Sequence, residues 1–177
     1  MKTRFSNTNF NGIKMIIFLL VFIPFSNLKT FAAGGEKVNF SGSWALNQTT
    51  SKLSEGGGYG AAKMLNISQE GNVLSVVRTQ TNRDGEEMTV TLKYTLDGKE
   101  CDNSNNRRTS KSVASWSKDG KVLTINTTSV SERNGQKIET KSAETWELAA
   151  NGKTITINQT VNSSRGERKS MLIYEKK

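Results

Sequence analysis

Histidine is absent from the 177 residues, cysteine occurs once, at Cys101, and proline once, at Pro24. The missing imidazole excludes Ser-His-Asp and Cys-His catalysis, haem ligation through histidine and the common zinc sites. A single thiol excludes an intramolecular disulfide, so packing and hydrogen bonds must supply the stability, and Cys101 itself reads as a chance residue of a polar loop. No proline follows Pro24 to interrupt strand pairing, and no long apolar run follows Phe25. Dense basic stripes and aromatics interleaved with basic residues are also missing, which argues against a nucleic-acid surface. No metal site and no cofactor is expected. Carboxylate chemistry stays open in principle, but it needs two acids facing each other across a cleft, and no motif here places such a pair. The expectation is a binding or structural protein, not an enzyme.

What is present begins with an address. Lys2, Arg4 and Lys14 precede the apolar run Met15 to Phe25, and small residues follow at Ala32 and Ala33, the pattern of a cleaved secretory signal peptide over residues 1–32. Residues 33–177 then form one exported domain, in the periplasm or outside the cell, with no membrane insertion of the mature chain. The formal net charge of +9 falls with the leader: without Lys2, Arg4, Lys14 and Lys29, 21 basic residues face 16 acidic ones, leaving +5.

One phrase recurs in the mature part. Trp116-Ser117-Lys118-Asp119-Gly120-Lys121-Val122-Leu123-Thr124-Ile125-Asn126 is echoed by Asn151-Gly152-Lys153-Thr154-Ile155-Thr156-Ile157-Asn158, with Trp146 upstream, and more loosely by Glu70-Gly71-Asn72-Val73-Leu74-Ser75-Val76-Val77. Each copy is a turn leading into an alternating strand, with Asp-Gly or Asn-Gly supplying the positive-φ positions of a tight hairpin. Ten strand segments follow along the chain, at about Asn39–Asn47, Lys63–Gln69, Asn72–Gln80, Glu87–Leu96, Lys99–Asp102, Arg107–Ser117, Lys121–Ser131, Lys137–Leu148, Lys153–Val161 and Glu167–Glu175. The fifth is short. Counting it makes the three copies the third, seventh and ninth strands, all pointing the same way. A Gly-rich segment at Gly56-Gly57-Gly58 is longer than a hairpin turn and reads as a connector or a mouth loop.

A flat meander this wide would leave one apolar face wet and two edges unpaired. The fold class predicted is therefore all-β: a single antiparallel up-and-down barrel of eight to ten strands. Along each copy the inward face changes character. Leu74 and Val76 lead to Arg78 and Gln80, Leu123 and Ile125 to Thr127 and Ser129, Ile155 and Ile157 to Gln159 and Val161. One end of the barrel should thus be an apolar plug and the other a polar-lined cavity. On the eighth strand Ile138, Thr140, Ser142, Glu144, Trp146 and Leu148 share a face. Glu144 either turns outward on a bulge or pairs inside with Arg78. Candidate ligand-binding residues are Arg78, Gln80, Thr127, Ser142, Glu144 and Gln159, and Trp116 and Trp146 are placed to plug the apolar end.

Phe40-Ser41-Gly42-Ser43-Trp44 resembles the Gly-x-Trp opening of the lipocalin and calycin barrels, in which a first-strand tryptophan closes the base. With Leu96-Asp97-Gly98-Lys99-Glu100, Glu144-Thr145-Trp146-Glu147-Leu148, Asn151-Gly152-Lys153 and Leu172-Ile173-Tyr174-Glu175-Lys176, the chain is similar to exported bacterial lipocalin-like proteins over about Val38 to Lys177. The resemblance implies a lipocalin-like barrel whose base is closed by Gly42 and Trp44, to which the strand reading adds Trp116 and Trp146 as closure residues, and the binding of a small hydrophobic or amphipathic ligand. Where lipocalins set a last-strand arginine over the tryptophan, this chain offers Lys176 and Lys177. The other reading is a structural or protein-interaction module of the cell envelope with a filled core.

Overall fold

The alternation read from the sequence is realised in a computed structural model that describes residues 35–54, 61–82 and 84–177. The expected signal peptide and the Gly56–Gly58 segment lie outside the described residues. Ten strands form: β1 (Gly42–Leu46), β2 (Met64–Glu70), β3 (Val73–Thr81), β4 (Glu87–Thr95), β5 (Glu100–Asp102), β6 (Arg108–Trp116), β7 (Val122–Arg133), β8 (Gln136–Leu148), β9 (Thr154–Ser163) and β10 (Gly166–Lys176). They make one antiparallel sheet in the order β4-β3-β2-β1-β10-β9-β8-β7-β6-β5. Consecutive strands are neighbours, and β1 pairs with β10 through Trp44 and Lys176, Ala45 and Glu175, and Leu46 and Tyr174. The short fifth strand exists, and β3, β7 and β9 do run the same way.

The ladder stops only between β4 and β5, and side chains take over there. Asn103, just past β5, accepts from the Lys93 N–H at 2.8 Å and donates to the Lys93 carbonyl at 3.0 Å, copying a backbone pair with its amide. Cys101 Sγ accepts from the Thr95 N–H at 3.0 Å. The seam therefore leaves these edge groups satisfied although no strand pairing closes it. Cys101 thus lies in the short fifth strand, half-buried and packed against the core, and not in a polar loop.

Turn chemistry departs from the simple hairpin expectation. Only Asn134-Gly135 has both residues at positive φ, 54° and 73°. In the Asp-Gly-Lys and Asn-Gly-Lys turns the glycine alone is left-handed, and the acidic or amide side chain accepts from the lysine N–H two residues on: Asp97 from Lys99, Asp119 from Lys121, Asn151 from Lys153. These are Asx turns, which explains why Asp or Asn followed by Gly recurs at the same place in each of them.

The first strand starts later than expected, at Gly42 in place of Asn39. Asn39 Oδ1 accepts from the Ser41 N–H at 2.8 Å and Gly42 adopts φ 138°, so the chain bends there. Residues 35–40 pass beneath the barrel, with the Val38 N–H on the Gly120 carbonyl. Phe40 is driven into the base, fully buried, stacked on Trp116 at 5.9 Å and edge-on to Trp146 at 5.7 Å. Trp44 Nε1 donates to the Phe40 carbonyl at 2.9 Å, and Lys176 Nζ lies 5.3 Å from the Trp44 ring centroid. A lysine thus occupies the position over the tryptophan. Around these rings pack Leu74, Val76, Leu123, Ile125, Ile155 and Tyr174, all buried.

Candidate functional site

Period-two alternation puts every second side chain of β3 and of β6–β9 inside, and register then stacks these inward positions in rows. The lowest row holds Trp116, Leu123, Trp146 and Ile157; the next holds Ala114, Ile125, Glu144 and Gln159. Glu144 thus sits on the tryptophan floor, and the bulge that would have turned it outward does not form: it is 7% exposed.

Every acceptor position of the Glu144 carboxylate is engaged. Arg78, arriving from β3, donates from Nη1 to Oε1 at 3.1 Å and from Nη2 to Oε2 at 2.8 Å. Trp146 Nε1 donates to Oε2 at 2.9 Å and Gln159 Nε2 to Oε1 at 3.0 Å. Burial pushes the Glu144 carboxyl upward, but the Arg78 charge and these hydrogen bonds outweigh it and hold it below the usual carboxylate range. Arg78 is likewise opposed by burial, yet Glu144 beside it keeps the guanidinium charged. Its planar group lies 5.8 Å from the Trp146 ring, and its Nε is buried with no hydrogen-bond partner among the described residues. Burial raises the Tyr94 hydroxyl to about 12 and pushes Tyr174 up further, so both stay neutral donors at physiological pH.

Above this floor the barrel is hollow. A cavity of about 330 Å³ lies between β3–β4 and β6–β9. All six candidate residues line it: Arg78, Gln80, Thr127, Ser142, Glu144 and Gln159. The four closure residues lie apart from it at the base, with Trp44 and Trp146 fully buried, Trp116 half-buried against Phe40, and Gly42 beside the Lys176 stem. Among the described residues, the filled core of the alternative reading is therefore present at the base and gives way to a cavity in the upper half.

Several lining residues escaped the sequence reading as site candidates: Tyr94 and Leu92 on β4, Arg108, Ser110 and Ser112 on β6, and Thr140 on β8. The inward face was recognised by its Leu and Ile, and β6 has neither. The available signal was the spacing of Ala114 and Trp116, which puts Arg108, Ser110 and Ser112 on the same face. Arg108, nearest the mouth, has no carboxylate within 4.0 Å among the described residues. Glu144 is the one carboxylate in the lining among those residues, and no group of three His, Cys, Asp or Glu able to hold a metal occurs among them.

No family model matches the sequence, and no curated protein matches it. A crystal structure of zebrafish ileal bile acid-binding protein complexed with cholic acid is similar over 78% of this chain and 98% of that one, with 19% sequence identity and a TM-score of 0.49.

Proposed function

We propose that this chain is an exported barrel that binds one small amphipathic molecule in its upper half. The observation that carries the reading is the cavity of about 330 Å³, inside the range of small-molecule sites, above an immobilised ionic floor. Val90 and Leu92 from β4 and Val161 from β9 give it apolar lining, and Arg78, Gln80, Gln159 and the hydroxyls of β6–β8 give it polar lining. The N-terminal leader pattern supports export. Catalysis by Glu144 is disfavoured on its own geometry: both oxygens are engaged by donors and the group is held ionised, which suits neither a general acid nor a free nucleophile.

Native mass spectrometry of the full chain purified from its own source tests this. The expected result is a second population heavier by one small molecule, which disappears on denaturation and is lost when Thr140→Trp fills the cavity. A single ligand-free mass for wild type, at protein concentrations that preserve non-covalent complexes, would contradict the reading.

A further inference from the structure

The hydroxyls of the cavity are arranged, and their arrangement bears on which molecule fits. Register pairs Ser112 with Thr127 and Thr127 with Ser142, making one row across β6, β7 and β8. It pairs Ser110 with Ser129 and Ser129 with Thr140, making a second row two residues nearer the mouth. The result is a grid of two rows and three columns on one continuous wall, about 5 Å between columns and about 7 Å between rows. Its apolar counterparts do not intrude: Val90 and Leu92 come from β4, and Val161 from β9.

Such a wall is unusual for a barrel interior, because a buried hydroxyl without a partner is costly and Ala or Val would fit the same positions. Ser110, Ser112 and Ser129 are each more than nine-tenths buried. Among the described residues the one hydrogen bond between grid hydroxyls joins Ser112 and Thr127 at 2.9 Å. The hydroxyls of Ser110 and Ser129 have no protein partner there, and both line the cavity. At the floor the Arg78 guanidinium adds a charged group to the same lining, with its two terminal nitrogens held by Glu144. The partners of the two serine hydroxyls are therefore the cavity's contents, water in the free protein and the polar groups of a bound molecule once it displaces that water. A straight alkyl chain supplies none, and would leave the Ser110 and Ser129 hydroxyls unsatisfied against it.

We infer that the hydroxyl grid on β6–β8 selects a rigid, polyhydroxylated amphiphile, one whose hydroxyl or carbonyl groups lie along one side of an apolar frame, over straight-chain fatty acids. The inference rests on the binding reading above and narrows its ligand class. Each serine or threonine hydroxyl both donates and accepts and rotates to suit, so the wall tolerates variation in the ligand's substituents while demanding that they be polar. The frame's other side packs on Val90, Leu92 and Val161.

The test titrates the full-length mature chain, stripped of bound molecules by unfolding and refolding, with three probes followed by calorimetry: quercetin, flavone, which has the same ring frame without the hydroxyls, and laurate. Quercetin is expected to bind at least tenfold tighter than flavone and laurate. In the triple variant Ser110→Ala, Ser129→Ala, Thr140→Val that ratio should fall to about twofold or less, with flavone binding unchanged or improved. The single variant Thr140→Val, whose folding is checked by its melting curve, should narrow the ratio in the same direction. Equal binding of all three probes, or a quercetin preference that survives the triple variant, overturns the inference while leaving a binding barrel in place. Absence of saturable binding by any probe, joined to a ligand-free native mass, overturns the binding reading and this inference with it.

Discussion

At the level of Trp116, Leu123 and Trp146 the inward positions of the barrel meet ring against ring with Phe40, whereas four residues further along the same strands the inward positions are Ser112, Thr127 and Ser142 around open space. The two halves share strands, register and twist, so the backbone does not make the difference. Residue choice does: the base carries apolar residues and aromatics at native density, and the upper half carries small polar residues that fill less volume. Between them lies the Arg78–Glu144 pair, which tops the apolar base with charge and gives the cavity a fixed polar floor.

The comparison breaks most severely at the base. Phe40→Ala should cost about 3–5 kcal/mol in urea unfolding, because the ring is fully buried and fills the space between two tryptophans.

Next comes the floor. Glu144→Leu alone should cost about 3 kcal/mol, since it strands the Arg78 charge, and the low end of the range applies because the Arg78 side chain retains 20% exposure toward the cavity. Adding Arg78→Met should recover most of that loss, as apolar replacement of both partners removes the desolvation cost as well. Incomplete loss in the single variant together with no recovery in the double would show that the pair contributes little.

The same pair makes a pH prediction. Glu144 is held below its ordinary value of 4.5 in the folded state, so its contribution is complete above that value and is lost as pH falls through the lower folded-state value. Wild type should therefore lose stability on acidification below about pH 4 more steeply than the Arg78→Met/Glu144→Leu variant, as read by chemical denaturation at a series of pH values. Tyr94 and Tyr174 act in the other direction: their raised values favour the neutral folded form, and stability should decline once the unfolded tyrosines ionise, above about pH 10.

Smaller effects distinguish the two halves residue by residue. Ala114→Ser places a hydroxyl at a fully buried position beside Ile125, in the packed row below the grid, and should destabilise by about 1–3 kcal/mol. Ser110→Ala, two rows higher on the same strand, should be neutral or slightly stabilising, within about 1 kcal/mol, because no protein hydrogen bond to its hydroxyl is lost. Equal penalties at the two positions would mean that the halves do not differ as described. Lys176→Ala should cost about 0.5–1 kcal/mol through loss of the contact with the Trp44 ring, and Lys176→Arg should be tolerated.

Much of this was legible in the sequence, and for a physical reason. Strand alternation and Asx-turn chemistry are local, so Leu123, Ile125 and Thr127 announce both their strand and their face, and Asp119-Gly120-Lys121 announces the turn before it. The apolar-to-polar gradient is a property of one strand at a time, which is why Arg78, Thr127 and Gln159 could be placed toward one end of the barrel before any contact was known. What stayed hidden depends on partners distant in the chain. Phe40 was assigned to the first strand because its spacing from Trp44 fits, whereas the Asn39 side-chain bond and the bend at Gly42 send it beneath the base. Glu144 could face either way until Arg78, Trp146 and Gln159 were seen to saturate it. Asn103 falls between the expected fifth and sixth strands, and only the missing ladder between β4 and β5 shows that its amide stands in for backbone. On β6 the serines carry no apolar label, so their inward direction follows only from their spacing to Ala114 and Trp116, and pairing with β7 makes it plain.

The three indole N–H groups offer the most direct test that the upper half, and not the base, holds a molecule. Trp146 donates to Glu144 at the cavity floor, Trp44 donates to the Phe40 carbonyl inside the base, and Trp116 Nε1 is buried without a partner among the described residues. Nitrogen-15 correlation spectra would be compared for the protein as isolated from its source and for the same sample after unfolding, extraction and refolding. The account predicts that the Trp146 indole signal differs between the two while those of Trp44 and Trp116 coincide. Coincidence of all three signals would contradict it.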